Sequence, residues 1–335
     1  MEAFIIGSGV HLPERIVTNE EIAPSLGLEP DYIFKFSGIR RRRWAEPGVT
    51  TSSLASAALR QALDDAHVAV EDVDYVLFGT MTPDRFIPGS GPSVQRELGL
   101  PEIPCLDIRA TCCNTLYGLQ IAKALVTTGV ARRVAICLAD IQSPWLDLSP
   151  HSGTTSMLFG DGAAAMLISN EPQDGSIEIL DVYLSANGVY TDDLGIRCPG
   201  TEYGVAPKDG TSENVGDYRP TMNGQLVILQ ATRRMVAACK TVLDRNGLTI
   251  GNMRWIVPHQ ANAGLLAQVA RGIRFPPDKE GLVSVLEDTG NTSSASMGIA
   301  LDKLRRSNSI RPNDYLLLPA FGAGFTWGAG LCRAL

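Results

Sequence analysis

The chain of 335 residues is 44% hydrophobic and 19% charged, with 33 Gly and 20 Pro, a balance that fits one large or two ordinary globular domains and excludes a mainly disordered chain. Lys and Arg number 29 against 36 Asp and Glu, a net charge of −7, so a nucleic acid would meet net repulsion and is not expected as a partner. No apolar run approaches the ~20 residues a bilayer-spanning helix needs, and Met1 to Gly7 lacks the basic and long apolar regions of a signal peptide; a cytoplasmic protein without membrane contact is the expectation.

Short apolar runs alternate with longer amphipathic stretches from end to end, the pattern of an α/β protein. In the first part strands are predicted at residues 4–6, 75–78, 105–108, 134–138 and 163–168, with helices at 51–66, 92–98 and 116–127 between them. Leu54, Ala58, Leu59 and Leu63 fall at the spacings of one buried helical face. A second series of strands follows at 177–184, 255–257, 282–286, 315–319 and 327–332, with helices at 224–246, 263–272 and 296–307. The two series are of similar size and meet at the segment 170–175, which suggests an internal duplication. Residues 187–219 read as a long surface excursion, and loops of that length are usually functional or mobile.

Seven cysteines, at 105, 112, 113, 137, 198, 239 and 332, are odd in number and scattered, without a Cys-x-x-Cys pair, and only four His accompany them. Neither a disulfide framework nor a zinc site is expected, most of these thiols read as buried small hydrophobes, and no metal or cofactor is anticipated. The exception is Asp107-Ile108-Arg109-Ala110-Thr111-Cys112-Cys113-Asn114-Thr115, where a strand runs into a thiol pair and then a long helix. Free N–H groups and the helix dipole at such a position favour a thiolate, which would lower the thiol pKa and make a nucleophile, and the same groups can bind an oxyanion. The alternative is that Cys112 and Cys113 only fill a tight turn. His259 follows Trp255-Ile256-Val257-Pro258 at the carboxyl end of a predicted strand, where open α/β sheets place ligands; it could relay a proton or stabilise negative charge. Residues 288–296 read as strand-like, then loop, then helix, a polar turn with an N-cap. The Gly-rich run from Phe321 to Gly328 either builds a hairpin or brings backbone N–H groups up to a substrate oxygen.

In order and spacing, Ile6-Gly7-Ser8-Gly9, Ser37-Gly38-Ile39-Arg40, Phe159-Gly160-Asp161-Gly162-Ala163, Pro258-His259-Gln260-Ala261-Asn262, Gly290-Asn291-Thr292-Ser293 and the run Phe321 to Gly328 resemble the β-ketoacyl-(acyl carrier protein) synthase III family of the thiolase superfamily, over essentially the whole chain. The resemblance implies a thiolase-like fold of two βαβαβαββ halves in a five-layered α/β/α/β/α arrangement, and a homodimer. Residues 1–170 would carry the nucleophile and 171–335 the His and Asn. It further implies Cys112 as the acyl-accepting nucleophile, the backbone N–H groups of Cys112 and Ala323 as the oxyanion hole, and His259 with Asn291 as the donor pair for an enolate. The implied reaction loads an acyl or aroyl group from acyl-CoA onto Cys112 and condenses it with a malonyl thioester, with loss of CO2, through a covalent intermediate.

Several positions depart from the family pattern. Cys113, Asn114 and Thr115 replace a small residue, Gly and an aromatic, so Asn114 is expected to reshape the substrate pocket. Tyr32 and His151 stand where housekeeping members sandwich the CoA adenine with Trp and Arg. Ile87 lies on the loop that in the family reaches across the dimer to shape the neighbour's acyl tunnel, and Phe159 and Asn262 are expected to face substrate. Leu229 and Gly264 replace basic residues that dock acyl carrier protein, which weakens the case for that partner. The tract Arg40 to Arg43, with Arg271 and Arg274, would either meet phosphates or form a solvated basic face. Leu106 to Ala110 and Leu116-Tyr117-Gly118-Leu119-Gln120 look closer to secondary-metabolite members, including condensing enzymes of alkylquinolone pathways. The competing readings are acyl transfer to an oxygen, nitrogen or sulfur acceptor, and a non-catalytic partner subunit of a heterodimer.

Overall fold

Nine strands carry the architecture of the computed structural model, which describes residues 2–202, 218–277 and 279–335. They are β1 Phe4–His11, β2 Tyr75–Gly79, β3 Cys105–Ile108, β4 Arg133–Asp140 and β5 Gly162–Ser169, then β6 Ile177–Ala186, β7 Met253–Ile256, β8 Tyr315–Gly322 and β9 Thr326–Ala334. In the first half the order is β3-β2-β4-β5-β1, with β3, β2 and β4 parallel and β5 antiparallel to both its neighbours. The second half repeats it as β7-β8-β9-β6, with β7 and β8 parallel and β9 antiparallel to both neighbours. Leu282 supplies the fifth position through a parallel bridge to Ile256. The halves join along β1 and β6, where only Phe4 with Glu178 and Ile5 with Ile177 pair.

Helices fill the layers between and around these sheets. Thr51–Ala66 packs Leu54, Ala58, Leu59 and Ala62 on the outer face of the first sheet, against Phe4, Ile6, Phe78 and Ala165. It lies so close to β1 that a Cβ at Gly7 would overlap the Ala62 carbonyl and one at Gly9 the Ala58 carbonyl. Asn114–Thr127 and Ser296–Arg306 lie between the sheets, burying Leu116, Leu119, Met297 and Leu301 with Ile136 and Met166 on one side and Val182 and Leu318 on the other. Gly224–Arg245 and Ala263–Gly272 cover the outer face of the second sheet. The layers run α/β/α/β/α.

Most predicted elements form within a few residues of their expected bounds, and three differences are instructive. The run 282–286 is not a strand: after the bridge at Leu282 the chain turns into a short helix, Leu286–Thr289, whose first turn carries Glu287 and Asp288. These acids bond Arg40 at 2.6 Å and Arg41 at 2.8 Å, and residues 288–289 are helical, not strand-like. Two helices were not expected, Asn19–Leu26 and Pro30–Ser37, the first capped by the Thr18 side chain and ended by Gly27 at φ 64°. Finally, the Arg40 to Arg43 tract divides: Arg40 and Arg41 are exposed and paired with Glu287 and Asp288, as a solvated face would be, whereas Arg42 and Arg43 bond groups of the chain itself. Arg42 is fully buried, donating to the Asn19 side chain at 2.9 Å and the Met157 carbonyl at 2.9 Å, and burial pulls its pKa down to about 10. Arg43 binds the carbonyls of Pro13 and Glu14. Among the described residues no helix is long and apolar enough to cross a membrane, and no group of three or more His, Cys, Asp or Glu could hold a metal.

Candidate active site

Open α/β sheets bind ligands beyond the carboxyl ends of their parallel strands, and here both halves present those ends to one cavity of about 400 Å³. Met81 and Thr82 follow β2, Arg109 to Cys112 follow β3, Gln142 follows β4, His259 follows β7, and Phe321 to Ala323 close β8. Cys112, His259, Asn291 and Ala323 all line this cavity. Drawn from four distant stretches, they converge because the duplicated topology brings equivalent strand ends together.

Cys112 sits in a 3-10 turn, Thr111–Cys113, whose first residue is held at φ 52°. The long helix begins only at Asn114. Its sulfur lies 3.7 Å from the Ser293 hydroxyl. Burial raises the thiol to about 12; the Ser293 hydrogen bond opposes this and the Asp140 charge adds to it. The direction is opposite to the lowering expected at a helix start, and its largest cause is the desolvation of the sulfur. Cys113 is a buried neighbour whose thiol contacts the Thr326 carbonyl at 3.5 Å.

The imidazole of His259 is buried, its Nδ1 2.7 Å from the Ser296 hydroxyl. Burial holds its pKa down to about 4, so the ring is neutral at physiological pH. Asn291 follows Gly290, which takes φ 63°. Its backbone bonds to Leu158 and Gly160, and its side-chain Oδ1 accepts from the Ser293 N–H at 2.9 Å. With that oxygen engaged, the amide donor Nδ2 is the part left for the cavity. Across from it, a Cβ at Gly322 would overlap the Thr111 hydroxyl and lie 2.9 Å from the Cys112 nitrogen. Only glycine lets the hairpin approach the Cys112 turn this closely.

Three further residues tie the site together: Asp140, and two serines of the stretch 288–296 to which the sequence gives no individual role. Asp140, at the end of β4, accepts from Thr80 and Thr82 hydroxyls and from the Met81 and Ser294 N–H groups. Ser294 donates to the Thr111 carbonyl at 3.3 Å. Ser296 holds His259. The local signal for Asp140 was an acid closing an apolar run; the serines carry no signal without the fold.

The expected substrate-facing residues divide. Phe159 and Asn262 line the cavity, and Asn262 also caps helix Ala263–Gly272 through the Leu265 N–H. Asn114 does not reach it: fully buried, it accepts from the Ala110 N–H and donates to Ser294, so both ends of its amide tie down the turn that carries Cys112. Tyr32, 42% exposed, stacks on Phe36, a lining residue. His151 and Ile87 are exposed, and neither lines the cavity of the single chain. The excursion 187–219 is not merely a surface loop, since Leu194, Ile196, Cys198 and Pro199 wall the cavity; residues 203–217 lie outside the described ones.

Family models described as 3-oxoacyl-(acyl-carrier-protein) synthase III match residues 106–188, and as its C terminal residues 243–334. The chain is 38% identical over 336 residues to beta-ketoacyl-(acyl-carrier-protein) synthase III of Bordetella petrii, covering 99% of this chain and 98% of that protein. It is 34% identical to the Chlamydia caviae protein of the same name, covering 99% and 97%. The crystal structure of 3-oxoacyl-(acyl-carrier-protein) synthase III from Aquifex aeolicus superposes with a TM-score of 0.88 at 29% identity over 99% of both chains. The priming β-ketosynthase of the R1128 polyketide pathway does so at 0.88 and 31% identity, covering 100% of this chain and 96% of that one. With its duplicated thiolase-like fold and its whole length matched, the chain belongs to the 3-oxoacyl-(acyl-carrier-protein) synthase III family of condensing enzymes.

Proposed function

We propose that this chain takes an acyl or aroyl group from an acyl-CoA onto Cys112 and joins it to a malonyl thioester by decarboxylative Claisen condensation, in secondary metabolism. The observation that carries this reading is that Cys112, His259, Asn291 and Ala323 share one cavity. In the loading step the sulfur bonds to the thioester carbonyl, whose oxyanion is held by the N–H groups of Cys112 and Ala323. CoA then leaves, taking up the proton that Cys112 gave. In the second step the malonyl thioester loses CO2, and His259 and Asn291 donate to the enolate oxygen. The enolate carbon attacks the Cys112 acyl carbonyl, Cys112 departs and is reprotonated, and a β-ketoacyl thioester results. A neutral His259 suits this role, because it gives a hydrogen bond to the enolate without surrendering its proton. The apolar wall, including Phe36, Trp145, Leu158, Met222 and Ile228, suits a hydrocarbon or aromatic primer. The likeness to a polyketide priming ketosynthase and an exposed Leu229 in place of a basic docking residue favour secondary metabolism. Intact-protein mass spectrometry with a panel of acyl-CoAs should show one acyl adduct, absent in Cys112→Ala. An adduct that persists in that variant, on Cys113, would overturn the assignment.

The partner we propose beside the substrates is a second copy of the chain. β3 is an edge strand, Leu106 on it is 41% exposed, and Phe86 and Ile87 on the neighbouring loop are 65% and 78% exposed. An unpaired edge flanked by large apolar groups is a template for strand addition, and a dimer through it would carry Ile87 towards the neighbouring cavity. Sedimentation velocity should give a dimer for the native chain and a monomer for Leu106→Lys; a native monomer that turns over would refute this.

A further inference from the structure

The neutral imidazole has two tautomers, and only one of them offers a donor to the cavity. Nδ1 is 2.7 Å from Ser296 Oγ, and the same oxygen accepts from the Gln260 backbone N–H at 3.3 Å. All three residues are buried. A backbone N–H can only donate, so it occupies one lone pair of Oγ. The serine has a single hydrogen, and among the described residues its one side-chain partner able to accept is Nδ1. Were the ring protonated at Nδ1, two N–H groups would converge on Oγ, and the serine hydrogen would be buried without an acceptor, the arrangement folded proteins avoid.

We propose that Ser296 is a positioning residue that donates its hydroxyl hydrogen to His259 Nδ1, fixing the imidazole as the Nε2–H tautomer that presents a donor to the substrate cavity. Its surroundings hold this arrangement in place. Ser296 opens the helix Ser296–Arg306 between the two sheets. The His259 N–H bonds the Pro319 carbonyl at 2.9 Å, and the Gln260 side chain bonds the carbonyls of Pro258 and Val283 and the N–H of Val285. The ring thus has fixed partners on its Nδ1 side and on its backbone. The inference rests on the condensing reading for its purpose, a second hydrogen bond to the enolate beside Asn291, but not for its structural content.

Nitrogen-15 NMR of the histidine-labelled protein tests it, with His259→Ala assigning the resonances. The native ring should show a protonated Nε2 and an unprotonated Nδ1. In Ser296→Ala the Nδ1–H form should appear, and malonyl decarboxylation should fall by about tenfold or more, as befits a ring in the wrong tautomer, while acyl loading of Cys112 changes little. Ser296→Thr, which keeps the hydroxyl, should restore both. A native Nδ1–H tautomer, or a Ser296→Ala spectrum unchanged from native, would overturn the proposal. If Ser296→Ala fails to fold, the native and Ser296→Thr spectra still decide it. If the native chain shows the expected tautomer but neither loads acyl groups nor decarboxylates malonyl thioesters, the condensing reading fails and the role of Ser296 on His259 stands.

Discussion

Asn291→Ala should retain acyl loading of Cys112 within a few-fold while losing about 10²- to 10³-fold in malonyl decarboxylation and condensation, the cost of removing one preorganised oxyanion donor. The separation follows from which atoms each step uses. In the proposed reaction, loading would develop its negative charge on the thioester oxygen beside Cys112 and Ala323, before any enolate exists. Decarboxylation would develop charge on the extender oxygen, and the side-chain donors the proposal gives it are Asn291 Nδ2 and the His259 ring. Asn291 Oδ1 is engaged by the Ser293 N–H at 2.9 Å, so the amide cannot turn its oxygen to the cavity without breaking a buried bond. Asn291→Asp should be worse than Asn291→Ala, because a carboxylate would set negative charge against the enolate. Release of labelled CO2, read beside the mass of the acyl-enzyme, checks both. Equal losses in the two steps would mean that Asn291 only shapes the cavity.

The parts of this site legible in the sequence are those fixed by local chain geometry. Apolar runs bounded by turn residues located the strands, and Cys112 and His259 follow directly after two of them. The failures come where distant residues decide. Val283, Val285 and Leu286 look like strand residues, but the chain turns into the short helix Leu286–Thr289, whose Glu287 and Asp288 meet Arg40 and Arg41 from 247 positions away. Arg42 reads as surface charge, and only the Asn19 and Met157 oxygens brought to it by folding make it a buried strut. Asn114 looked like pocket lining because of its place after the nucleophile. In the fold it faces Ser294, 180 positions on. The Cys112 thiol follows the same pattern: a helix start is visible in the sequence, whereas the desolvation that raises the thiol depends on walls supplied by the whole cavity.

Asp140 is where stability and nucleophile reactivity are coupled, and its two substitutions should separate them. The carboxylate is fully buried and accepts four hydrogen bonds, three on one oxygen from residues 80–82 and one on the other from the Ser294 N–H. Through them it fixes the Met81 and Thr82 wall of the cavity to the turn that carries Ser293. Asp140→Ala leaves the part-buried Met81 N–H and the buried Ser294 N–H unmet, at about 1–3 kcal/mol each, which in a chain of this size lowers the thermal midpoint by roughly 3–9 °C. Asp140→Asn keeps one acceptor oxygen but sets an NH2 against a donor, so it too should destabilise, by less. On Cys112 both act in the opposite sense. Burial is the main reason the thiol lies near 12, and the Asp140 charge raises it further, so removing the charge must lower it and increase the thiolate present at a given pH. Iodoacetamide alkylation of the native protein should still be climbing at pH 10, and the Asp140→Asn curve should be displaced to lower pH while its melting temperature falls. A more stable variant, or an alkylation curve displaced to higher pH, would show that Asp140 does not face the nucleophile as the geometry requires.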